Sequence, residues 1–518
     1  MSNYMAITLG PIYKTFENVR KTREIWAASY IFSFISKRLI EYIRTIDKTL
    51  IIVPSYDPDS LKGIGLYPDR IFLKKSDVIS VRQIEDAKNS ALDEVATWIN
   101  NQNAKKFLSA YFRIYSVEYS TGINENPLLA GNNLLDTAEL RNSWEQRESL
   151  NLLLNFFRSV NTLKVDGKKW ISDHFEEKDV FGEVRFESIP EISTRDIRHV
   201  NPAGYRELVK KYCYQSGESD EDEENLMMEM KNLFNKRGKP EVFKNYHKYI
   251  CVVKADGDKV GKYIKAIRGD YEKELKNLSA SLFKWGDETA KLILGYGGTP
   301  IYIGGDDVLF LAPVVGHTND NIVELLATVN DSFVRCFSAL PLLTADDVQI
   351  KPTLSFGVSI TYYKFPLSEA LMKADQQLHR AKINRNTCCI SLVKHSGSSF
   401  EIELPNSKTD PVRNAYLDAG RYFTEDSAFV SSIIHHFRQN TGVYRIIGND
   451  RDRVSNFLKK NFEDIKHEDF VNSVANLCYE IYTVNNGCAG NEESEKSTGE
   501  IYNFLRILKF LNGQEDGK

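Results

Sequence analysis

The chain has 518 residues, 42% hydrophobic and 27% charged, so it is too long for one core and has the composition of an ordinary globular protein. Its formal net charge of -4 excludes a general electrostatic grip on nucleic acid, and any such contact must be local or shared with partners. The seven cysteines lack C-x-x-C spacing and no stretch reaches the ~20 apolar residues of a membrane span. The protein is therefore expected to be soluble and cytoplasmic, without disulfide framework, zinc site or membrane contact.

In chain order, residues 4–9 read as a strand that Gly10-Pro11 breaks. A long amphipathic helix is predicted over 16–45, with Trp26, Tyr30, Phe34, Ile35, Leu39 and Ile43 in one stripe. Arg20, Lys21 and Arg23 on its first turns read as a solvated face. Strands at 49–53 and 70–73, a helix at 82–101 and a strand at 109–118 complete a βαββαβ order, the ferredoxin-like pattern. The turn between its second and third strands contains Gly63 and Gly65 but no acidic pair. From 121 to 245 the chain reads as helical and irregular, with the acidic run 216–224 as a mobile loop.

A second βαββαβ unit begins with a strand at 248–254, running into Ala255-Asp256-Gly257-Asp258. A helix is expected from Lys259-Val260-Gly261 toward 293, then hairpin strands at 299–303 and 308–312. A helix at 320–338, a strand at 353–362, a helix after Pro366 and a strand at 388–394 follow. Beyond 401 the periodicity is helical, with 485–500 as a loop and 501–511 as a short helix. The predicted class is α+β: a degenerate first palm-like domain over 1–120, an insertion over 121–245, a second palm-like domain over 246–400 and a helical C-terminal domain over 401–518.

The chemistry is concentrated at Gly304-Gly305-Asp306-Asp307, between the hairpin strands. Adjacent carboxylates make a poor turn interior but a good site for a hard cation. If the strand ending at Asp256 lies beside the hairpin, Asp256, Asp306 and Asp307 converge, with the Gly257 carbonyl nearby. Carboxylates this close repel unless a cation intervenes. Two Mg2+ or Mn2+ ions fit that need and the chemistry of phosphoryl transfer. The stretch Gly257, Asp258, Lys259, Val260, Gly261 enters a helix and offers amides to phosphates. Lys382 is expected to reach the β- or γ-phosphate.

Ala374-Asp375, Leu378, Ala381-Lys382 and Asn384-Arg385-Asn386 resemble the end of a nucleotide-cyclase GGDEF domain, and Ser355-Phe356-Gly357-Val358-Ser359 resembles the strand before it. With the Gly-Gly-Asp-Asp corner and Leu9-Gly10-Pro11 … Arg20-Lys21-Thr22-Arg23-Glu24-Ile25-Trp26-Ala27-Ala28-Ser29-Tyr30, the chain resembles the polymerase-like large subunit (Cas10 family) of type III CRISPR effector complexes, in its Cmr form. The resemblance implies two facing palm domains and target-RNA-activated conversion of ATP to cyclic oligoadenylate. It also implies other Cmr-type subunits, crRNA and target RNA as partners. Carried onto this sequence, it makes Asp256, Asp306 and Asp307 catalytic, and Asp256, Gly257, Asp306 and Asp307 metal-holding. Gly257, Asp258, Lys259, Gly261, Gly304, Gly305 and Lys382 would bind nucleotide, and Ser29 would line the acceptor pocket. Relatives often carry an HD nuclease domain and a zinc motif; neither a His-Asp dipeptide nor the cysteine spacing is found, so DNA cleavage and zinc are not expected here. The acceptor stays open between a second ATP and a non-nucleotide such as S-adenosylmethionine. A catalytically silent scaffold for crRNA and small subunits is the rival of another class.

Overall fold

The computed structural model describes the chain except residues 1, 17–18, 100, 123, 141–150, 216–218, 346, 463–464 and 515–518. Two antiparallel-rich sheets organise it. In the first sheet β1 (Ser2–Gly10) lies between β3 (Arg70–Lys74) and β4 (Arg113–Thr121), and β2 (Ile51–Val53) pairs with β3 at the edge. Helices α1 (Thr22–Ile46) and α2 (Val81–Ile99) complete the unit. The predicted stripe of α1 faces the core, where Trp26, Ile35, Leu39 and Ile43 are fully buried.

The second sheet has six strands: β5 (Tyr249–Asp258), β6 (Thr299–Gly304), β7 (Asp307–Pro313), β8 (Thr353–Tyr362), β9 (Thr387–Val393) and β10 (Ser399–Pro405). Their spatial order is β10-β9-β8-β5-β7-β6. β5 and β8 are buried nearly throughout, and their continuous apolar character reflects sheet faces covered on both sides. Together the two sheets give the mixed α+β class, and both show the predicted βαββαβ order.

Several expectations need correction. The first long helix starts only at Thr22, where the Glu24 carboxylate accepts the Arg20 amide at 2.7 Å; a separate short helix occupies Ile12–Phe16. The strand expected at 109–118 begins at Arg113, because a helix over Ala104–Tyr111 buries Phe107 and Leu108. The acidic run is not a mobile loop in its described part. From Asp220 it forms the first turns of α3 (Asp220–Phe234), capped by a reciprocal Ser219–Asp222 box. Four acidic residues there meet the positive end of the helix dipole. Residues 216–218 lie outside the described residues.

The helix expected from 259 toward 293 is split: a first helix ends at Ala266, Gly269 with a φ of +83° turns the connection, and Asp270 caps α4 (Tyr271–Tyr296). β10 falls where helix was expected; its alternating Phe400, Ile402 and Leu404 pack inward against β9. The expected loop 485–500 is helical from Asn491, within α6 (Asn491–Leu511), because the Tyr482 hydroxyl bonds the Ser494 and Thr498 hydroxyls at 3.2 and 2.7 Å. α5 (Leu367–Asn384) lies on β8 and β9.

The two sheets are joined at a seam. β6 is an edge strand of the second sheet, and its open side is paired by one residue of the first unit. The Gly65 amide donates to the Ile301 carbonyl at 3.2 Å, and the Ile303 amide donates to the Gly65 carbonyl at 2.9 Å. A Cβ on Gly65 would stand 2.9 Å from the Tyr302 ring, so only glycine permits this approach. α1 splints the same segment. The Trp26 indole donates to the Gly63 carbonyl at 2.5 Å, Ser33 Oγ accepts the Tyr67 amide at 2.9 Å, and Ser36 Oγ donates to the Pro68 carbonyl at 2.6 Å.

Candidate active site

The carboxylates meet because of strand order. β5 pairs with β7 from Ile250↔Pro313 to Ala255↔Val308, so the next residue of each strand is Asp256 and Asp307. Gly304 pairs with Asp307, leaving Gly305-Asp306 as a two-residue hairpin turn. Gly305 takes a φ of +66° at the first turn position, which a hairpin of this length requires of glycine. Asp306 packs on Gly257: a Cβ there would lie 2.4 Å from Asp306 Oδ2. The absence of a side chain at 257 is thus what lets the turn carboxylate close over the end of β5.

Electrostatics follow from this crowding. Burial, then the Asp256 charge, pushes the Asp306 carboxyl up to about 6. Asp307 opens to solvent on one side, but crowding by the protein, then Asp306 and Asp256, raises it well above the usual carboxylate range. Asp69, on the first unit just before β3, adds to that repulsion. Burial raises Asp69 itself, and its neighbour Pro68 lines one apolar slot with Gly305. Asp69 was not among the expected site residues. Only the folded contact between the units brings it to the corner, and nothing in its local sequence announces that.

Lys382 closes the group from the last turn of α5. Its ammonium donates to the carbonyls of Asp256 and Gly257 at 2.7 and 2.9 Å, and pairs with Asp256 Oδ2 at 3.0 Å and Asp258 Oδ1 at 3.1 Å. α5 reaches this point because Gly357 on β8 lets it approach; a Cβ there would be 2.1 Å from the Ala374 carbonyl oxygen. Among the described residues no three His, Cys, Asp or Glu side chains converge tightly enough to enclose an ion. The donor set still fits a hard divalent cation. It consists of carboxylate and carbonyl oxygens, it holds carboxylates that repel one another, and an ammonium already sits among its oxygens.

Other expected residues divide. Asp258 does not face a ligand. It is buried, and its carboxylate accepts from Ser355 at 2.9 Å, Thr353 at 3.0 Å and the Asn386 amide at 2.8 Å. It lies inside β5 because it pairs with Thr353, so the expected loop begins only at Lys259. Ser29 does not open onto a cleft either: it is buried at the seam, its hydroxyl 3.5 Å from the Ile301 carbonyl. Gly304 is covered by the Tyr302 ring, whereas Gly305 has open space where a side chain would be. Lys259, with a φ of +63°, and Gly261 are exposed at the start of Val260–Ala266.

The apolar slot beside the corner has a volume of about 90 Å3 and is lined by Val53, Pro54 and Leu66 from the first unit and by Leu282, Phe283 and Gly305 from the second. A wider cleft of about 640 Å3, lined by Phe181, Arg198, His199 and Arg206, lies in the insertion and contains none of the corner carboxylates. The cleft in the insertion has the larger volume, but the slot is the one that adjoins the corner, at Gly305, and the carboxylates and Lys382 of that corner make it the chemical site.

A model of the Cas10/Cmr2 second palm domain matches residues 249–389, and one of the N-terminal region of CRISPR-associated protein Cmr2 matches residues 4–101. Both stretches thus carry the pattern of Cas10/Cmr2 domains. The chain is 25% identical over 296 residues to the CRISPR system Cmr subunit Cmr2 of Pyrococcus furiosus, a stretch covering 51% of this chain and 32% of that relative. The match thus spans about a third of the relative's length. Among solved structures, the cryo-EM structure of apo type III-B Cmr-beta has a chain with TM-score 0.52 at 11% identity, covering 89% of this chain and 77% of that one. The Csm1-Csm4 subcomplex of the type III-A CRISPR-Csm interference complex gives 0.51 at 11% identity, over 98% and 69%. These likenesses establish the Cas10 fold with its palm domains. Both family matches fall on the two sheets. Gly65, Ile301 and Ile303, which form the seam, lie inside them.

Proposed function

We propose that this chain is the nucleotidyltransferase subunit of a type III CRISPR antiviral complex, activated by target RNA and converting ATP to a cyclic oligoadenylate messenger. The observation that carries the reading is the adjacency of Asp256 and Asp307 at the end of the β5–β7 pairing, with Asp306 packed on Gly257 and Lys382 paired to Asp256. A scaffold has no need to keep mutually repelling carboxylates together. A Csm1-Csm4 cassette crystallised with one ATP shares the fold at TM-score 0.50 and 10% identity, covering 92% of this chain and 69% of that chain. That likeness supports ATP as the nucleotide.

Asp256, Asp306, Asp307 and the Gly257 carbonyl would hold divalent ions, Mg2+ or Mn2+. Such ions, when bound, activate a hydroxyl and neutralise the triphosphate. The remaining work belongs to the chain. Gly305 leaves space for the triphosphate at the corner, and Lys259 adds an exposed positive charge nearby. The apolar slot next to Gly305 has the character to receive a base. The acceptor hydroxyl forms a bond to the α-phosphorus as the bond to the β,γ-phosphates breaks. Pyrophosphate leaves and the hydroxyl proton passes to solvent. Catalysis is then positioning and electrostatics, without a protein nucleophile.

The test is the double substitution Asp306→Ala, Asp307→Ala, assayed with labelled ATP, other Cmr-type subunits, crRNA and target RNA. Product is expected to disappear while assembly persists; undiminished product would reject the site. Mass spectrometry with and without S-adenosylmethionine identifies the acceptor, and a product that requires it would overturn the oligoadenylate assignment.

A further inference from the structure

Lys382 occupies a place that a phosphate ligand does not explain. Its ammonium points inward and is surrounded by four oxygens at 2.7 to 3.1 Å. Two of these, the Gly257 carbonyl and Asp256 Oδ2, belong to groups assigned above to a divalent ion. Its position is fixed by the backbone: α5 is locked onto β8 at Gly357, and the Thr387 hydroxyl donates to the Ala381 carbonyl at 3.0 Å at the helix end. The oxygens are not equivalent. Asp258 keeps its hydrogen bonds to Thr353, Ser355 and the Asn386 amide whether or not the lysine stays. Among the described residues, Lys382 is the one ion-pair partner of Asp256.

We infer that Lys382 is a resident cation that competes with the divalent metal for the Asp256 and Gly257 oxygens, and that nucleotide relieves the competition by accepting the displaced ammonium. The inference rests on the nucleotidyltransferase reading of the corner. Two cations cannot share these oxygens without repulsion, so metal entry expels the lysine. The phosphates are the natural receiver of the freed charge. Metal and nucleotide then assist each other's binding, and by linkage the assistance is reciprocal. Without nucleotide the corner stays neutralised by its own side chain and takes metal weakly.

The experiment titrates Mn2+ into the full chain and follows free Mn2+ by electron paramagnetic resonance, with and without a non-hydrolysable ATP analogue. Without nucleotide, Lys382→Met is expected to bind Mn2+ about tenfold more tightly than the parent. The analogue is expected to tighten Mn2+ binding strongly in the parent and much less in the variant. Lys382→Gln removes the charge while keeping a polar side chain, and must behave the same way; it carries the test if the methionine variant misfolds. Equal or weaker Mn2+ binding by the charge-free variants overturns the competition while leaving the metal site intact. No Mn2+ binding by parent or variants, even with the analogue, overturns the metal reading and the competition with it.

Discussion

Asp258 shows how a site residue read from a motif can be a structural one. It lies two residues beyond Asp256 on the same strand face, but its carboxylate is buried and accepts bonds from two hydroxyls and an amide. Asp258→Ala leaves those donors and the Lys382 ammonium without their acceptor. It is expected to cost about 3 kcal/mol in denaturant unfolding, more than an exposed carboxylate would. Asp258→Asn, which keeps most of the geometry, is expected to cost less. The corner carboxylates Asp256, Asp306 and Asp307 differ in kind. Their mutual repulsion makes Asp306→Asn alone neutral or stabilising to the fold, with melting temperature as the measurement. The same residues mark how far a sequence can be read. Asp256, Asp306 and Asp307 were legible because hairpin and strand order follow from local patterns. Asp69 and the inward turn of Lys382 were not, since one depends on contact between two units and the other on the depth at which Gly357 seats a helix.

At the level of elements, the seam between Gly65 and β6 connects the first unit to the hairpin. β6 would otherwise carry an unpaired edge beside the candidate site. The two backbone bonds at Ile301 and Ile303 pair that edge, and α1 holds the pairing segment through Trp26, Ser33 and Ser36. Ser29 belongs to this splint, which explains why the Trp26–Tyr30 motif is specific without lining a pocket. Gly65→Val would drive its side chain into Tyr302, the Ile301 carbonyl and Ser29. The expected result is faster hydrogen exchange at the Ile303 amide, whose acceptor is the Gly65 carbonyl, with slow exchange kept in β5 and β8. Protection at Ile303 equal to the parent would mean the seam forms without that glycine. Misread elements share a cause. α3, β10 and the start of α6 each depend on a partner outside the element: Ser219 and Lys21 for α3, β9 for β10, and Tyr482 for α6. Polar composition suggested loops at the starts of α3 and α6, and helical periodicity suggested helix at β10.

For the whole molecule, the insertion acts as a brace between the two sheets. Lys21 of the first unit pairs with Asp220 and Glu223 at the start of α3, and Lys364 of the second unit pairs with Glu224 one turn on. Deeper in, the Arg195 guanidinium donates to the carbonyls of Gly297 and Gly298, just before β6, at 3.1 and 3.0 Å. On the other side, His174 stacks on Trp170 and bonds the Tyr30 hydroxyl of α1 at 3.1 Å. Burial pushes the His174 imidazole down to about 4 from its ordinary 6.5. Between those values the unfolded chain binds the proton and the folded chain does not. Its contribution is therefore complete above 6.5 and is lost as pH falls through 4. The shift corresponds to up to about 3 kcal/mol, less what partial solvent contact removes. Other groups titrate acidically as well, so the measurement is a difference. Urea unfolding of the parent and of His174→Phe at pH 7 and pH 4 is expected to show a smaller loss in the variant. Equal losses would place the acid sensitivity elsewhere, with the buried Glu187–Arg195 pair as the next group to test, since Arg195 and Arg198 hold that carboxyl low despite its burial.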